Sequence, residues 1–441
     1  MKIILGFFLM ILLASAVFAQ DLPIPKSPLI SRLETDIADG KKNSAPDFWK
    51  FVEANGTPLI EPLPGDKKNS LVTFIWRGDS ETQNVLNQSL FYPLMMVRRQ
   101  LKRIGETDVW YRTDKVPNDA RFTYQFSVND PRLPIPDPYD WLKFKVPLFT
   151  DPLNNRKFFY PKDPDDPDDY DSDASLVEMP EAIKSPYLTP QQNVRKGEVE
   201  LTRYKSAILA NERRIWYYTP PDYSPKKKYP LVIFLDGFYY QYFIPATTIL
   251  DNLIAAGKIP PVVAVFVATP IGAGIREKEY YANDSFAEFM VKELLPQIRS
   301  KYSLNPKPEE TTLVGLSASA FAAGFLALKH PEKFGNVVMQ SPPLWWGKEP
   351  SGEDGEWLTQ QYINAGKLKV RFYFEIGEFE VFPSVRRGRP NFVHSVRHFR
   401  DILKLKGIRH LYNEFNGAHD FVCWRETLPA ALTNILDKRS F

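Results

Sequence analysis

Apolar residues follow two different patterns along the chain, and the change comes near residue 196. Before it, short apolar segments lie at 71–76 and 109–113, and Phe122 to Val128 alternates apolar and polar residues at a period of two. Alternation at this period is typical of a half-buried strand. Several short strands separated by turn-forming residues predict a β-sandwich, which we place at 65–180.

Continuous apolar runs follow residue 196 at 229–235, 262–268, 311–315, 337–340 and 370–376. Such runs are typical of strands buried on both faces. Helical patterns at about 243–256 and 285–301 lie between them. Alternating strands and helices predict a doubly wound, mostly parallel sheet over 196–441.

The remaining segments contain less regular patterns. Lys2, the apolar run Ile3 to Val17 and the small residue Ala19 predict a signal peptide over 1–19, with an uncleaved membrane anchor as the alternative. We therefore expect a periplasmic or secreted protein with no stable membrane span after cleavage. Residues 20–64 predict a leader with a little helix near 46–53, and 181–195 a linker.

The segment 163–173 consists almost entirely of Asp and Pro. An acidic run of this kind could bind calcium. We favour a solvated linker, because prolines and irregular spacing do not build a cation cage.

Composition narrows the classes of function. The 441 residues contain 56 basic and 53 acidic side chains, so the net charge of +3 gives no reason to expect nucleic acid as a partner. The only cysteine is Cys423, which excludes an internal disulfide. A catalytic thiol at Cys423 is an alternative, but the chain offers a better nucleophile.

That nucleophile is Ser317, in the segment 312–320 (TLVGLSASA). A strand pattern ends at Gly315, and a helical pattern starts directly after the serine. A serine on a sharp strand-to-helix turn is the nucleophile elbow of α/β-hydrolases, and its neighbours must be small. Gly315 meets this requirement before the serine, and Ser319 stands where a glycine is usual after it.

A serine hydroxyl needs a base, and this fold places an acid and then a histidine after the serine. Of five histidines, His419 lies in a glycine-containing loop between a strand at 411–415 and a terminal helix. The acid should follow the strand at 370–376, where both Glu378 and Glu380 qualify. It would orient the imidazole and stabilise its cation.

Two backbone N–H groups should stabilise the oxyanion. One belongs to Ala318. The other comes from Phe238 or Gly237, in the loop after the strand that ends at Leu235. Asp236 either touches the substrate or braces this loop, and the sequence leaves both roles open.

The chain resembles the ferric enterobactin (enterochelin) esterases and, more widely, the esterase D-like hydrolases. In the catalytic half the resemblance is carried by 214–221 (RIWYYTPP), 234–237 (FLDG), 251–254 (DNLI), 293–296 (ELLP), 330–336 (HPEKFGN) and 417–425 (GAHDFVCWR). In the N-terminal half it is carried by 72–74 (VTF), 108–111 (DVWY), 124–126 (YQF) and 151–154 (DPLN).

The resemblance implies an α/β-hydrolase preceded by an immunoglobulin-like sandwich, and hydrolysis of the ester bonds of a catecholate trilactone siderophore with release of iron. It also places Glu380, rather than Glu378, in the acid position of a Gly-x-x-Glu pattern. Trp345 and Trp346 are expected walls for a ring-bearing substrate. Arg386 and Arg387 are expected to attract an anionic one. Ser319 departs from the family pattern and puts the substrate in doubt.

The predicted protein is a serine esterase with a small-molecule ester substrate, and we expect no cofactor and no metal. Two alternatives remain. One is an esterase for feruloyl or acetyl groups on polysaccharide, with the sandwich as a binding module. The other is a binding protein that keeps the hydrolase fold without its chemistry.

Overall fold

The N-terminal half consists of two antiparallel sheets that share one core. The computed structural model describes residues 26–89, 100–131, 146–349, 355–381 and 391–437. The elements of this half are α1 (Pro28–Ala38), α2 (Ser44–Asn55), β1 (Leu59–Leu63), β2 (Asp66–Arg77), β3 (Val85–Ser89), β4 (Lys102–Arg103), β5 (Val109–Pro117), β6 (Arg121–Val128), β7 (Lys157–Tyr160) and β8 (Ser172–Glu178).

The strand order is β1-β2-β5-β4 in one sheet and β3-β6-β8-β7 in the other. Phe74 of β2 and Trp110 of β5 pack in the same buried core as Phe122 of β6 and Val177 of β8. Burial of these side chains between the sheets is what holds them together. The immunoglobulin-like connectivity stays a prediction.

Residues 28–63 form two helices and a strand that pack on the N-terminal half. The little helix expected near 46–53 lies within α2, whereas α1 and β1 were not expected in a leader. The strand β1 pairs with β2, with Leu59 opposite Thr73. Ile30 of α1 and Val52 of α2 are fully buried against this sheet. The apolar positions of α1 form a narrow stripe in a segment rich in polar residues and proline, so the composition of the segment concealed this helix.

The C-terminal half is built on one twisted sheet of eight strands among the described residues. The order is β9-β10-β12-β11-β13-β14-β15-β16, with β9 and β10 antiparallel to their neighbours and the rest parallel. The strands are β9 (Glu198–Ser206), β10 (Asn211–Thr219), β11 (Leu231–Leu235), β12 (Val263–Val267), β13 (Thr311–Leu316), β14 (Asn336–Gln340), β15 (Arg371–Gly377) and β16 (His410–Phe415).

Helices cover both faces of this sheet, as a doubly wound fold requires. They are α3 (Gly237–Tyr242), α4 (Ala246–Ala255), α5 (Ile275–Tyr280), α6 (Asp284–Glu288), α7 (Leu295–Lys301), α8 (Ala318–Lys329), α9 (Trp357–Asn364), α10 (Phe392–Leu405) and α11 (Phe421–Leu436). A π-helical segment, Phe289–Leu294, joins α6 to α7. One buried core lies under α8, α9 and α10, and a second lies under α3, α4 and α11. The sheet order and the two helical layers are those of an α/β-hydrolase.

The acidic segment 163–173 is attached to the C-terminal half, so the expected solvated linker is wrong for its first residues. Asp163 bonds to Arg214 of β10. The guanidinium of Arg203, on β9, lies 2.8 Å from a carboxylate oxygen of Asp165. In the described ranges, no group of three or more His, Cys, Asp or Glu side chains could hold a metal ion. The same ranges contain no helix long and apolar enough to cross a bilayer.

The folded state of residues 28–63 can be tested with two substitutions. Ile30→Ala removes a fully buried side chain, whereas Phe51→Ala removes one that is 40% exposed on the outer side of α2. We expect Ile30→Ala to lower the free energy of unfolding by about 2–4 kcal/mol. We expect Phe51→Ala to change it by less than about 1 kcal/mol. Urea denaturation of the full chain measures both, and equal effects would contradict the packing described here.

Candidate active site

Ser317 occupies a strained turn between β13 and α8. Its backbone has φ 52° and ψ −126°, a conformation that is uncommon for any residue but glycine. A Cβ at Gly315 would lie 2.3 Å from the carbonyl oxygen of Ser319, so only glycine fits there. The Ser317 N–H donates to the carbonyl of Gln340 on the next strand at 2.9 Å, which fixes the turn to the sheet. This is the geometry of a nucleophile elbow.

Ser319 closes the same turn. Its hydroxyl donates to the carbonyl of Leu316 at 2.8 Å and accepts from the Leu316 N–H at 2.9 Å. The side chain is fully buried. Ser319, which replaces the usual glycine, therefore bonds the end of β13. These contacts favour a structural role for its side chain over the expected effect on the choice of substrate.

Three side chains form a hydrogen-bonded line at the carboxyl edge of the sheet. The Ser317 hydroxyl oxygen lies 2.8 Å from Nε2 of His419. Nδ1 of His419 lies 2.7 Å from a carboxylate oxygen of Glu380. The other oxygen of Glu380 accepts from the Gly377 N–H at 2.9 Å and from the Ser341 hydroxyl at 2.6 Å. Glu380 is fully buried. Glu378 is exposed and takes no part in this line.

Aromatic side chains enclose the imidazole. The ring of Trp424 meets His419 edge-on at 4.8 Å, and Phe392 lies 5.2 Å away on another side. The indole N–H of Trp424 donates to the Ser341 hydroxyl at 2.9 Å. Packing and this bond together restrict the orientation of the ring and of the serine that supports Glu380. Sequence reasoning missed Ser341 and Trp424, although Ser341 directly follows β14 at the same edge of the sheet.

The predicted oxyanion residues begin two neighbouring helices. β11 and β13 are parallel neighbours with Phe234 opposite Val314, so the turns after them lie side by side. Ala318 and Phe238 each lie in the first turn of a helix, where amide groups have no acceptor within the helix. A Cβ at Gly237 would lie 2.6 Å from the backbone of Phe266, so this turn needs its glycine.

Asp236 braces the turn before α3. Its carboxylate is 1% exposed, and Arg276 contacts both of its oxygens, at 2.9 Å and 2.6 Å. Burial opposes the charge of Arg276, but the Asp236 carboxylate outweighs it and raises the pKa of the guanidinium. The Asp236 N–H donates to the Tyr280 hydroxyl at 2.9 Å. Of the two roles left open by the sequence, this geometry favours the brace over contact with substrate.

The two tryptophans expected as walls lie in different surroundings. Trp346 is partly buried, stacks on Tyr281 with ring centres 4.9 Å apart and packs on Phe321 of the core. Trp345 packs on Phe392, which in turn contacts His419. Trp345 is therefore the one of the two that ring contacts join to His419. Arg386 and Arg387 lie outside the described residues.

A buried polar network supports the site from below. The Gln340 side chain donates to Glu375 at 2.8 Å and accepts from the Tyr240 hydroxyl at 3.0 Å. Burial raises the pKa of Glu375, and bonds from Thr427 and Gln340 oppose this shift. Because the backbone carbonyl of Gln340 accepts from Ser317, the network links β15, α3 and α11 to the elbow. Nothing in the sequence pattern singled out this carboxyl group.

The fold and this arrangement of serine, histidine and carboxylate define the class of the α/β-hydrolases. Residues 206–435 match the family described as "Putative esterase", and residues 71–187 match the N-terminal family of enterochelin esterase. The first match covers more than half of the chain. The chain therefore belongs to this esterase family, and it is a carboxylic ester hydrolase.

Individual relatives agree with this assignment. The iron(III) enterobactin esterase of Escherichia coli O6:H1 is 26% identical over 384 residues, covering 82% of this chain and 90% of that protein. The iron(III) salmochelin esterase of the same strain is 24% identical over 417 residues, covering 90% and 95%. The crystal structure of the ferric enterobactin esterase of Salmonella typhimurium has a TM-score of 0.71 at 23% identity, covering 89% of this chain and 98% of that one. This last likeness shows a shared fold.

The surroundings of Cys423 lead to a prediction about the alternative nucleophile. Burial raises the pKa of its thiol well above the ordinary value, and the nearby Asp420 carboxylate adds to the shift. The thiolate is the reactive form, so the native thiol should react with Ellman's reagent about a hundredfold more slowly than the urea-unfolded chain. Absorbance at neutral pH follows the reaction. Fast modification of the native enzyme with parallel loss of activity would contradict this account.

Proposed function

We propose that the protein is a serine esterase that hydrolyses the ester bonds of a catecholate siderophore, a trilactone of the enterobactin kind, and so releases its iron. The observation that carries the proposal is the hydrogen-bonded line from Ser317 through His419 to Glu380. The relatives that match both halves of the chain are named for enterobactin and salmochelin. The iron belongs to the proposed substrate. The ester chemistry derived below uses three side chains and two backbone N–H groups of the protein.

The first half of the reaction forms an acyl-enzyme. The Ser317 oxygen attacks the ester carbonyl carbon while Nε2 of His419 takes the hydroxyl proton. Glu380 holds Nδ1–H of the imidazole and stabilises the cation that results. The N–H groups of Ala318 and Phe238 donate to the oxyanion. The tetrahedral intermediate then expels the alcohol oxygen, which receives the proton from His419.

The second half restores the enzyme. Water attacks the acyl carbonyl while His419 takes one of its protons. As the intermediate collapses and the acid leaves, His419 returns that proton to the Ser317 oxygen. A trilactone contains three such esters, so repeated turnover yields the monomeric hydroxy acid. Each opened ester removes a covalent connection between catechol arms and weakens the hold on iron.

The surroundings of the turn after β11 support an aromatic substrate. Phe238 and Tyr239 pack beside Tyr242 and Phe243 in this turn and helix α3. Aromatic side chains pack well against aromatic rings such as catechols. We propose that Arg386 and Arg387 attract the negative charge of such a substrate.

We further propose that the protein is exported and acts in the periplasm or outside the cell. The support is the basic and apolar segment at 1–19. Cell fractionation with an antibody to the mature chain, together with N-terminal sequencing, would locate the protein and any cleavage after Ala19.

The nucleophile and the substrate are tested together. Wild type should release 2,3-dihydroxybenzoylserine from the ferric trilactone, and Ser317→Ala should reduce kcat by at least about a thousandfold because the attacking oxygen is removed. Liquid chromatography of the products measures this. Turnover of p-nitrophenyl butyrate without release of product from the trilactone would support the esterase activity but contradict the siderophore as substrate. Full activity of Ser317→Ala would overturn the nucleophile.

The acid is tested by a matched pair of substitutions. Glu380→Gln removes the charge that faces Nδ1 of His419 and should lower kcat by about a hundredfold or more. Glu378→Gln makes the same change two residues away on an exposed side chain, and its kcat should stay within about twofold of wild type. Steady-state kinetics with p-nitrophenyl butyrate compares them. The reverse ranking would assign the acid to Glu378.

A further inference from the structure

The loop that carries His419, residues 416–420, is bonded on both sides of the histidine to strand β6 of the N-terminal half. The Arg121 N–H donates to the Asn416 carbonyl at 3.3 Å. The Thr123 N–H and hydroxyl donate to the same carboxylate oxygen of Asp420, at 2.8 Å and 2.6 Å. Three donors of one strand therefore hold the two flanks of the proposed base.

Burial makes these bonds hard to replace with water. Asp420 is 4% exposed, and its other oxygen accepts from the Val422 N–H at the start of α11. Ala418 is fully buried in the core that includes Phe122 of β6. A buried carboxylate that loses its donors is costly, so the loop has a strong preference for this docked position.

The position of His419 depends on this docking. Nε2 must stay within hydrogen-bond reach of the Ser317 oxygen, and here the distance is 2.8 Å. A small displacement of a catalytic group can cost a large factor in rate. Asp420 directly follows His419 in the chain, so the bonds that hold Asp420 also fix the backbone position from which the imidazole extends.

We propose that Thr123 and Asp420 form a positioning clamp by which the N-terminal half completes the catalytic site. The N-terminal half is then part of the machinery for every ester, and its role is more than recognition of one substrate. This inference rests on the proposed function, because it takes His419 as the base. Thr123 and Asp420 are positioning residues that act through His419.

The test uses the full chain and p-nitrophenyl butyrate, a small ester with little need of a binding domain. Thr123→Val keeps the shape and the N–H but removes the hydroxyl donor. We expect it to lower kcat about tenfold with KM within about twofold. Thr123→Ser keeps the donor and should restore kcat to within about twofold of wild type. The rate of fluorophosphonate labelling of Ser317 should fall by the same factor as kcat in Thr123→Val.

Thr73→Val is the matched control. Thr73 is fully buried in the neighbouring sheet, and its hydroxyl lies 2.9 Å from that of Thr113. Losing this bond should affect stability without affecting kcat. Equal losses of kcat in Thr73→Val and Thr123→Val would show a general effect of destabilisation and overturn the clamp. So would an unchanged kcat in Thr123→Val.

Asp420→Asn covers the case in which Thr123→Val folds poorly, because the clamp predicts a loss of kcat from this variant as well, and the two variants together form a double-mutant cycle. Asp420→Asn keeps the size of the side chain and a good cap for α11 but removes the charge that Thr123 bonds. The clamp predicts that kcat of the double variant lies within about twofold of kcat of the slower single variant. If the two single losses of kcat multiply in the double variant, the clamp is wrong. If the wild type turns over the ester through Ser317 and Thr123→Val has no effect, the clamp is wrong and the proposed function stands. If no turnover depends on Ser317, the proposed function itself is wrong.

Discussion

The chemistry proposed for this esterase depends on one constraint, the alignment of the Ser317 oxygen, the two ring nitrogens of His419 and the Glu380 carboxylate. Separations of 2.8 Å and 2.7 Å join three residues that come from three different strand ends. A parallel sheet brings these ends to one edge, because all its central strands run the same way. Much of the surrounding structure serves to keep the three in line: the strained turn at Ser317, the buried support of Glu380 and the docked loop of His419.

Each member of the line is held by groups that carry out no chemistry. Gln340 fixes the elbow through its carbonyl, while its side chain belongs to the buried network around Glu375. Ser341 joins Glu380 to Trp424, which also packs against the imidazole. Rigid support of this kind holds the distances in a site to within a few tenths of an ångström before the substrate binds.

Much of the fold followed from the sequence, because its strands are continuous apolar runs. The prediction of a strand at 311–315 and a helix after Ser317 matches β13 and α8 closely. The helix at 28–38 was hidden by its polar, proline-containing composition, whereas the helix at 44–55 contains the one expected near 46–53. The spacing in the acid loop left Glu378 and Glu380 open. The resemblance to the enterochelin esterases favoured Glu380, and the fold agrees, because the Glu380 side chain is turned inward and that of Glu378 outward. The bond between Thr123 and Asp420 joins residues 297 apart in the chain, a relation that local patterns do not contain.

The central claim is that Ser317 is the nucleophile and that His419 activates it. The most direct measurement is intact-mass spectrometry and peptide mapping of the chain after reaction with a fluorophosphonate. The account predicts a single phosphonyl adduct on the peptide that contains Ser317, formed at a greatly reduced rate in His419→Ala. An adduct on another residue, or labelling of Ser317 at the same rate without His419, would contradict it.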